Sequence, residues 1–337
     1  MIMIRQPNNY ICEYIWIGGR GEIRSKTKVI NSSDFKNGVY PDWNYDGSST
    51  EQASSDGNTE VILKPVAKYV DPLRKIDNAK CMLILCDTYD NNGDPLPTNF
   101  RKNAYQIFSS KIDEDPWFGI EQEYFVEFHD KHPDTESKFF HYCGNVGDNL
   151  ERKIAETHLK SCVEAGLQIS GINSEVSPNQ WEFQIGPAVG IGAGDQLIIA
   201  RFLLERIAED YNASVNYYPK PFSHINGSGC HINFSTKDMR QANGYEIIKS
   251  CMPKLERRHK EHIEAYGKDN HLRLTGIHET SSMDKFSFGV GTRNTSVRIP
   301  NQAVKDGCGY FEDRRPAANI DPYRATSILF ETCCLME

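Results

Sequence analysis

The sequence predicts an α+β protein in two parts, a small β-rich domain over residues 1–95 and a larger α+β body over residues 98–337. Three observations lead there. The first ninety residues carry apolar runs of strand length closed by Gly and Asn clusters. The stretch Gly93-Asp94-Pro95-Leu96-Pro97-Thr98-Asn99 then interrupts the pattern as a linker would. Beyond it, strand-like runs alternate with amphipathic helical stretches. No repeat of about 20 to 50 residues is visible, which argues against a solenoid or propeller.

Taken in order, Tyr10–Ile17 is an apolar run leading into Gly18-Gly19, and Cys81–Cys86 is another leading into Asp90-Asn91-Asn92-Gly93; both read as strands. Between them, Tyr40–Thr50 is rich in residues that favour turns, so it reads as a loop. Thr98 or Asn99 can cap a helix over residues 100–111. Further helices are expected over 148–166, 195–215 and 241–266. The second of these opens on Asp195 and is nearly continuously apolar, as a helix packed on a sheet would be.

Composition narrows the function classes. At 337 residues the chain has room for two cores, at roughly 100 to 200 residues per domain. Its net charge of −8 argues against affinity for nucleic acid or an anionic membrane surface. The chain starts Met1-Ile2-Met3-Ile4-Arg5-Gln6-Pro7 without a leader pattern, and no apolar run reaches the roughly 18 residues needed to span a bilayer. A cytoplasmic location is the expectation. The ten cysteines form neither CxxC pairs nor zinc-finger spacings, so they read as free thiols, mostly small buried hydrophobes.

Chemistry enters at Phe118-Gly119-Ile120-Glu121-Gln122-Glu123-Tyr124-Phe125, an apolar run carrying two carboxylates. Period-two alternation puts Glu121 and Glu123 on one face of a strand. Two like charges that close raise each other's pKa unless a cation sits beside them, and a divalent metal is the simplest such cation. The alternative is an edge strand with a solvated acidic face. Glu175 and Glu182 flank a Pro-Asn turn, could face each other across a hairpin, and would complete an acidic cage for a hard cation such as Mg²⁺. In Gly229-Cys230-His231-Ile232-Asn233-Phe234-Ser235 the alternation puts His231, Asn233 and Ser235 on one face. The neighbouring glycines permit close backbone approach to a ligand, and Mn²⁺ accepts imidazole beside carboxylates. The last third supplies Arg273, Arg293, Arg298, Arg314 and Arg315, whose forks suit carboxylate and phosphate oxygens. Each could instead be an ordinary salt bridge. Together they suit a site that clamps a polyphosphate and an anionic substrate, although no GxxxxGK[ST] loop is present.

Six motifs in order then resemble the glutamine synthetases of the eukaryotic, short-subunit class over nearly the whole length. They are Asp46-Gly47-Ser48-Ser49-Thr50, Gly119–Tyr124, Gln180-Trp181-Glu182-Phe183-Gln184-Ile185-Gly186-Pro187, Gly229–Thr236, Gly276-Ile277-His278-Glu279-Thr280 and Tyr310-Phe311-Glu312-Asp313-Arg314-Arg315-Pro316. The resemblance implies a β-grasp domain followed by a catalytic domain with a curved antiparallel sheet, of the glutamine synthetase/guanido kinase-like kind. It implies ring homo-oligomers, two stacked pentamers, with each active site between adjacent subunits and Trp43 and Asp46 acting in trans. It implies ATP as co-substrate with two to three Mg²⁺ or Mn²⁺ ions, held by Glu121, His231 and Glu312 on the nucleotide side and by Glu123, Glu175 and Glu182 on the amino-acid side.

By the same resemblance Arg273 and Arg314 grip the glutamate carboxylate, with Asn226 and Gly227 near its amino end, while Arg293 and Arg298 meet the transferred phosphoryl group. Trp117, Asn233, Ser235, Arg240 and Tyr310 line the nucleotide. Asp46 takes the proton from ammonium, and Glu279 belongs to a flap that shields the acyl phosphate. Set against the longer family members, the resemblance leads to the expectation that the segment before Tyr10 lacks their N-terminal helix, and Pro221-Phe222-Ser223-His224-Ile225-Asn226 differs from their pattern. Three other readings stay open: a ligase joining glutamate to another amine, a member that kept the fold and lost catalysis, and a metal-dependent hydrolase.

Overall fold

A computed structural model of the chain describes residues 9–33, 35, 38–53, 57–130, 141–144, 150–277 and 280–336. These fall into two compact units, one formed by residues up to Asn103 together with Ser161–Leu167, the other by Ala104–Lys160 and Gln168 onward.

Among the described residues the first unit holds a five-stranded sheet of β1 (Asn9–Ile17), β2 (Ile23–Asn31), β3 (Trp43–Asp46), β4 (Glu60–Val70) and β5 (Ala79–Tyr89), in the order β2-β1-β5-β4-β3. The central pair β1 and β5 is parallel; the other pairs are antiparallel. Register sets the core. Cys12 pairs with Met82 and Tyr14 with Ile84, so these residues with Trp16, Leu63 and Cys86 share one buried face. The segment read from sequence as a linker is tied to this unit: Leu96 N donates to the Thr88 carbonyl at 3.1 Å, Asn99 Nδ2 to the same carbonyl at 3.0 Å, and Gln52 Nε2 to Thr98 Oγ1 at 2.9 Å. Asn99 also accepts from Lys102 N at 3.2 Å at the head of α1 (Phe100–Ser110), which runs across the division between the units.

The second unit holds β6 (Trp117–Phe128), α2 (Leu150–Ala165, which runs on into the other unit), β7 (Ile169–Ser174), β8 (Gln180–Val189), α3 (Ile191–Glu209), β9 (Ala213–Asn216), β10 (Cys230–Ser235), α4 (Gly244–Arg257) and α5 (His259–Ala265). It continues with β11 (Phe288–Val290), β12 (Val297–Ile299), α6 (Asn301–Asp306), β13 (Phe311–Asp313) and α7 (Pro322–Phe330). Its eight described strands run β11-β12-β13-β10-β6-β8-β7, with β9 on the far end of β6. The sheet is mixed, because β11 and β12 pair in parallel where an antiparallel sheet was expected throughout.

β6 is central, not an edge. It is paired on both sides, and its alternate residues Phe118, Ile120, Gln122 and Tyr124 are fully buried. This back face packs on α3, whose Leu197, Ile199, Ala200, Leu203 and Leu204 are buried too. Burying each of the leucine, isoleucine and phenylalanine side chains among them stabilises the fold by roughly 1.5–3 kcal/mol. Gln122, the polar member of that β6 face, is satisfied by Arg201, whose Nε lies 2.8 Å from Gln122 Oε1 and whose Nη1 and Nη2 donate to the Ile320 and Ala318 carbonyls at 2.9 Å.

Four local expectations are corrected. Tyr40–Thr50, expected as a loop, contains β3, whose Trp43 and Asp46 pair with Leu63 and Glu60 of β4, followed by a 3-10 turn over Gly47–Thr50. α3 starts at Ile191 after Gly190 and ends at Glu209, so Asp195 is inside the helix, where it accepts from the Tyr323 hydroxyl at 2.8 Å rather than capping. The stretch 241–266 is two helices, because Arg258 leaves helical geometry (φ −100°, ψ 15°) to donate to Glu261 and Glu331. Glu175 and Glu182 do flank a turn, with Asn179 at φ 61°, but they do not face each other: Glu182 pairs with Asn173, and Glu175 N donates to the Gln180 carbonyl.

Candidate active site

Strand register explains why distant parts of the sequence meet. Directly paired residues of neighbouring strands project to the same face. Glu121 pairs with His231 on one side and Gln184 on the other, and Glu123 pairs with Glu182. Asn233 pairs with Glu312, which pairs in turn with Arg298. Since β6 turns Phe118, Ile120, Gln122 and Tyr124 toward the core, its other face carries Glu121 and Glu123, and each neighbouring strand adds polar side chains beside them.

The tightest group is Glu121, His231 and Glu312, whose candidate ligand atoms all lie within 4.8 Å of one another. His231 Nδ1 is 3.6 Å from Glu121 Oε2 and 3.5 Å from Glu312 Oε1, longer than a good hydrogen bond to either. Burial, with the Arg314 charge next in weight, drives the imidazole well below its usual pKa, so it is neutral with a lone pair to offer. Two carboxylates and a neutral imidazole fit a divalent ion such as Mn²⁺ or Mg²⁺. Glu312 also meets Arg314 Nη1 at 2.5 Å and Arg298 Nη1 at 3.3 Å. Arg298 Nε is buried with no hydrogen-bond partner among the described residues.

Among the described residues Glu123, Glu175 and Glu182 are less tightly gathered than Glu121, His231 and Glu312. They feel one another nonetheless. Burial first, then the charges of Glu121, Glu123 and Glu175, push Glu182 up to about 9, and burial followed by Glu175 raises Glu123. A cation introduced among them would relieve both effects. Gly229 N donates to Glu123 Oε2 at 2.9 Å and Gln180 Nε2 to the same oxygen at 3.2 Å.

A cleft beside these carboxylates is lined by Asn226, Gly227, Arg273 and Arg314 together with Glu123 and Glu175. Arg273 is 5% exposed, and its Nη2 is fixed by the carbonyls of Arg314, Arg315 and Pro316 at 3.0, 2.7 and 2.9 Å. Burial lowers it to about 10, which leaves it charged at neutral pH. Gly227 has to be glycine: a Cβ there would lie 2.5 Å from the Pro219 carbonyl oxygen and 2.7 Å from Arg273 Cγ.

On the other side of Glu121 a pocket of about 390 Å³ is lined by Trp117, Asn233, Ser235, Arg240 and Tyr310, all five of the residues expected around a nucleotide. The Arg240 guanidinium lies over the Trp117 ring, 4.0 Å from its centroid, and is tied to Asp115 Oδ2 at 2.6 Å and Ser235 Oγ at 3.0 Å. Arg293 sits in an exposed loop between β11 and β12; its carbonyl accepts from Arg314 Nε at 3.2 Å, and its side chain bonds the Tyr142 hydroxyl. Asp46 belongs to the first unit, where it is exposed, caps Gly47–Thr50 and accepts from Ser48 N at 2.9 Å and Ser48 Oγ at 2.7 Å. The Ser48 hydrogen bonds lower its pKa, so it is ionised at neutral pH. Trp43, in the same unit, is covered by Lys26, whose Nζ is 3.8 Å from a ring centroid. Glu279 lies outside the described residues.

Sequence reasoning did not single out Gln180, Gln184 or Asn173, which hydrogen-bond the carboxylates. The signal was present in Gln180-Trp181-Glu182-Phe183-Gln184, the same alternation that flagged Glu121 and Glu123.

A carboxylate–imidazole group able to hold a divalent ion, arginines placed for anionic oxygens and an adjoining pocket define a metal- and phosphate-handling enzyme. Residues 102–246 match the family model described as glutamine synthetase, catalytic domain. A protein of Acanthamoeba polyphaga mimivirus is 51% identical over 98% of this chain and 95% of its own. Glutamine synthetase of Saccharomyces cerevisiae is 46% identical over 98% and 90%, and glutamine synthetase cytosolic isozyme 1-1 of Oryza sativa subsp. japonica is 50% identical over 96% and 93%. The chain belongs to the glutamine synthetase family, in its eukaryotic type.

Proposed function

We propose that this chain joins glutamate and ammonia to make glutamine at the expense of ATP, through a γ-glutamyl phosphate. The observation that carries it is one sheet face on which a metal-type trio lies between a cleft holding Arg273 and Arg314 and a pocket holding Trp117 and Arg240. A γ-carboxylate is a poor acyl donor because its leaving group would be oxide. A glutamate oxygen therefore takes the γ-phosphoryl group from ATP, releasing ADP. Ammonia then forms the C–N bond, and inorganic phosphate leaves. Glu121, His231 and Glu312 would hold ions on the nucleotide side, and Glu123, Glu175 and Glu182 on the amino-acid side. When bound, two to three Mg²⁺ or Mn²⁺ ions would supply positive charge against the oxygens of the phosphates.

The remaining roles follow the side-chain chemistry. Arg273, held rigid by three carbonyls, and Arg314 orient the glutamate carboxylate, with Asn226 and Gly227 beside the amino group. Arg298, whose buried Nε has no hydrogen-bond partner among the described residues, and Arg293 meet the transferred phosphoryl oxygens. Trp117, Asn233, Ser235, Arg240 and Tyr310 hold the nucleotide. Asp46, ionised at neutral pH, accepts the ammonium proton, and Glu279 closes over the intermediate. In this proposal the β-grasp domain is residues 1–95 and the catalytic domain 98–337; subunits assemble into rings, two stacked pentamers, so that Asp46 serves a neighbour's site; and the enzyme works in the cytoplasm. No described helix is long and apolar enough to cross a membrane.

Asp46→Asn tests the base assignment. The variant should bind Mn²⁺ and ATP as the parent does and lose most glutamine synthesis; near-normal synthesis would remove Asp46 from the mechanism.

A further inference from the structure

Side-chain amides thread the acidic part of the sheet face. Asn233 Nδ2 donates to Glu121 Oε1 at 2.7 Å, Gln180 Nε2 to Glu123 Oε2 at 3.2 Å, Asn173 Nδ2 to Glu175 Oε1 at 3.1 Å, and Gln184 Nε2 to Glu182 Oε1. Gln184 Nε2 also donates to Asn173 Oδ1 at 2.7 Å, which closes a continuous chain from Glu182 through Gln184 and Asn173 to Glu175. The backbone is shaped around this chain. Gly171 pairs with Gln184, and a Cβ on it would lie 2.5 Å from Gln184 Oε1, so the amide occupies the room the glycine leaves.

Amide donors do something a cation would not. A guanidinium on a carboxylate is a resident counter-ion, as Arg314 and Arg298 are for Glu312. An amide fixes a carboxylate oxygen without bringing a positive charge that would compete with a metal ion. We infer that Gln184 and Asn173 are positioning residues that hold the Glu182 and Glu175 carboxyl groups in place for a divalent cation. This rests on the assignment of Glu123, Glu175 and Glu182 as a metal set. Loss of an outer-shell donor of this kind weakens metal binding about 10- to 100-fold.

The test is Mn²⁺ titration of the metal-free, full-length protein followed by electron paramagnetic resonance, with thermal melts of each variant to establish folding. The parent should show two classes of Mn²⁺ site. Gln184→Met should weaken one class by about 10- to 100-fold and leave the other unchanged. Gly171→Ala removes no polar group but displaces the Gln184 amide, and should weaken the same class by a smaller factor. Parent-like affinities in both variants, with or without a loss of melting temperature, would overturn the positioning role while leaving the metal assignment standing. A parent with a single class of site would overturn the metal assignment and this inference together.

Discussion

Raising the pH should destabilise the metal-free protein, and the structure sets the scale. The Glu182 carboxyl, 8% exposed and crowded by Glu121, Glu123 and Glu175, has a folded-state pKa of about 9 against an ordinary 4.5. A raised carboxyl pKa means the native state binds more protons than the unfolded chain between those values. Its stabilising contribution is therefore complete below pH 4.5 and is lost progressively as the pH climbs toward 9. One proton of difference costs about 1.4 kcal/mol per pH unit, so from pH 6 to pH 8 this carboxyl alone removes about 3 kcal/mol. Glu123, raised by burial and by Glu175, acts in the same direction. A divalent ion needs the carboxylate form, so its binding releases protons and its affinity rises with pH, about tenfold per unit for each proton displaced. Urea unfolding at pH 6, 7 and 8, with EDTA or with Mg²⁺, measures the first effect; calorimetric Mg²⁺ titrations in buffers of different ionisation enthalpy count the protons. Stability should fall with pH in EDTA and be restored by Mg²⁺, most of all at pH 8, and Glu182→Gln should flatten the fall. Metal-free stability that is constant or rising from pH 6 to pH 8, with no proton release, would refute the reasoning.

Two further substitutions probe what holds the site in place. Asp313→Asn breaks the fully buried pair in which Arg315 Nη2 lies 2.6 Å from Asp313 Oδ2, behind the strand that presents Glu312 and Arg314; it should cost about 3–5 kcal/mol by urea denaturation, with wild-type stability as the contrary outcome. Gly227→Ala places a methyl group against the Pro219 carbonyl and the Arg273 stem. It should cost about 1–3 kcal/mol and raise KM for glutamate while leaving KM for ATP unchanged, a split that steady-state kinetics reads directly.

Periodicity made the site's strands legible in the sequence. Glu121 and Glu123 on one face of a buried strand, and His231 with Asn233 on another, follow from alternation alone, and the apolar run of α3 announced its packing on a sheet. Register was not legible, because pairing between segments tens of residues apart depends on the whole sheet. Glu182 thus pairs with Asn173 and Glu123, where a local reading of the hairpin set it against Glu175. Buried polar pairs were equally hidden: Gln122 looked like any strand residue until Arg201, 79 positions away, supplied its partner. The break at Arg258 reflects contacts to Glu331 in the C-terminal segment, which no window on residues 241–266 contains.

The coupling of phosphoryl transfer to amide formation is tested most directly by mixing the protein with MgATP and glutamate, with and without ammonium, and measuring phosphate and glutamine together. Phosphate release that requires ammonium and is matched one to one by glutamine is the predicted result. Phosphate released steadily without ammonium, or a preference for another amine as acceptor, would contradict it.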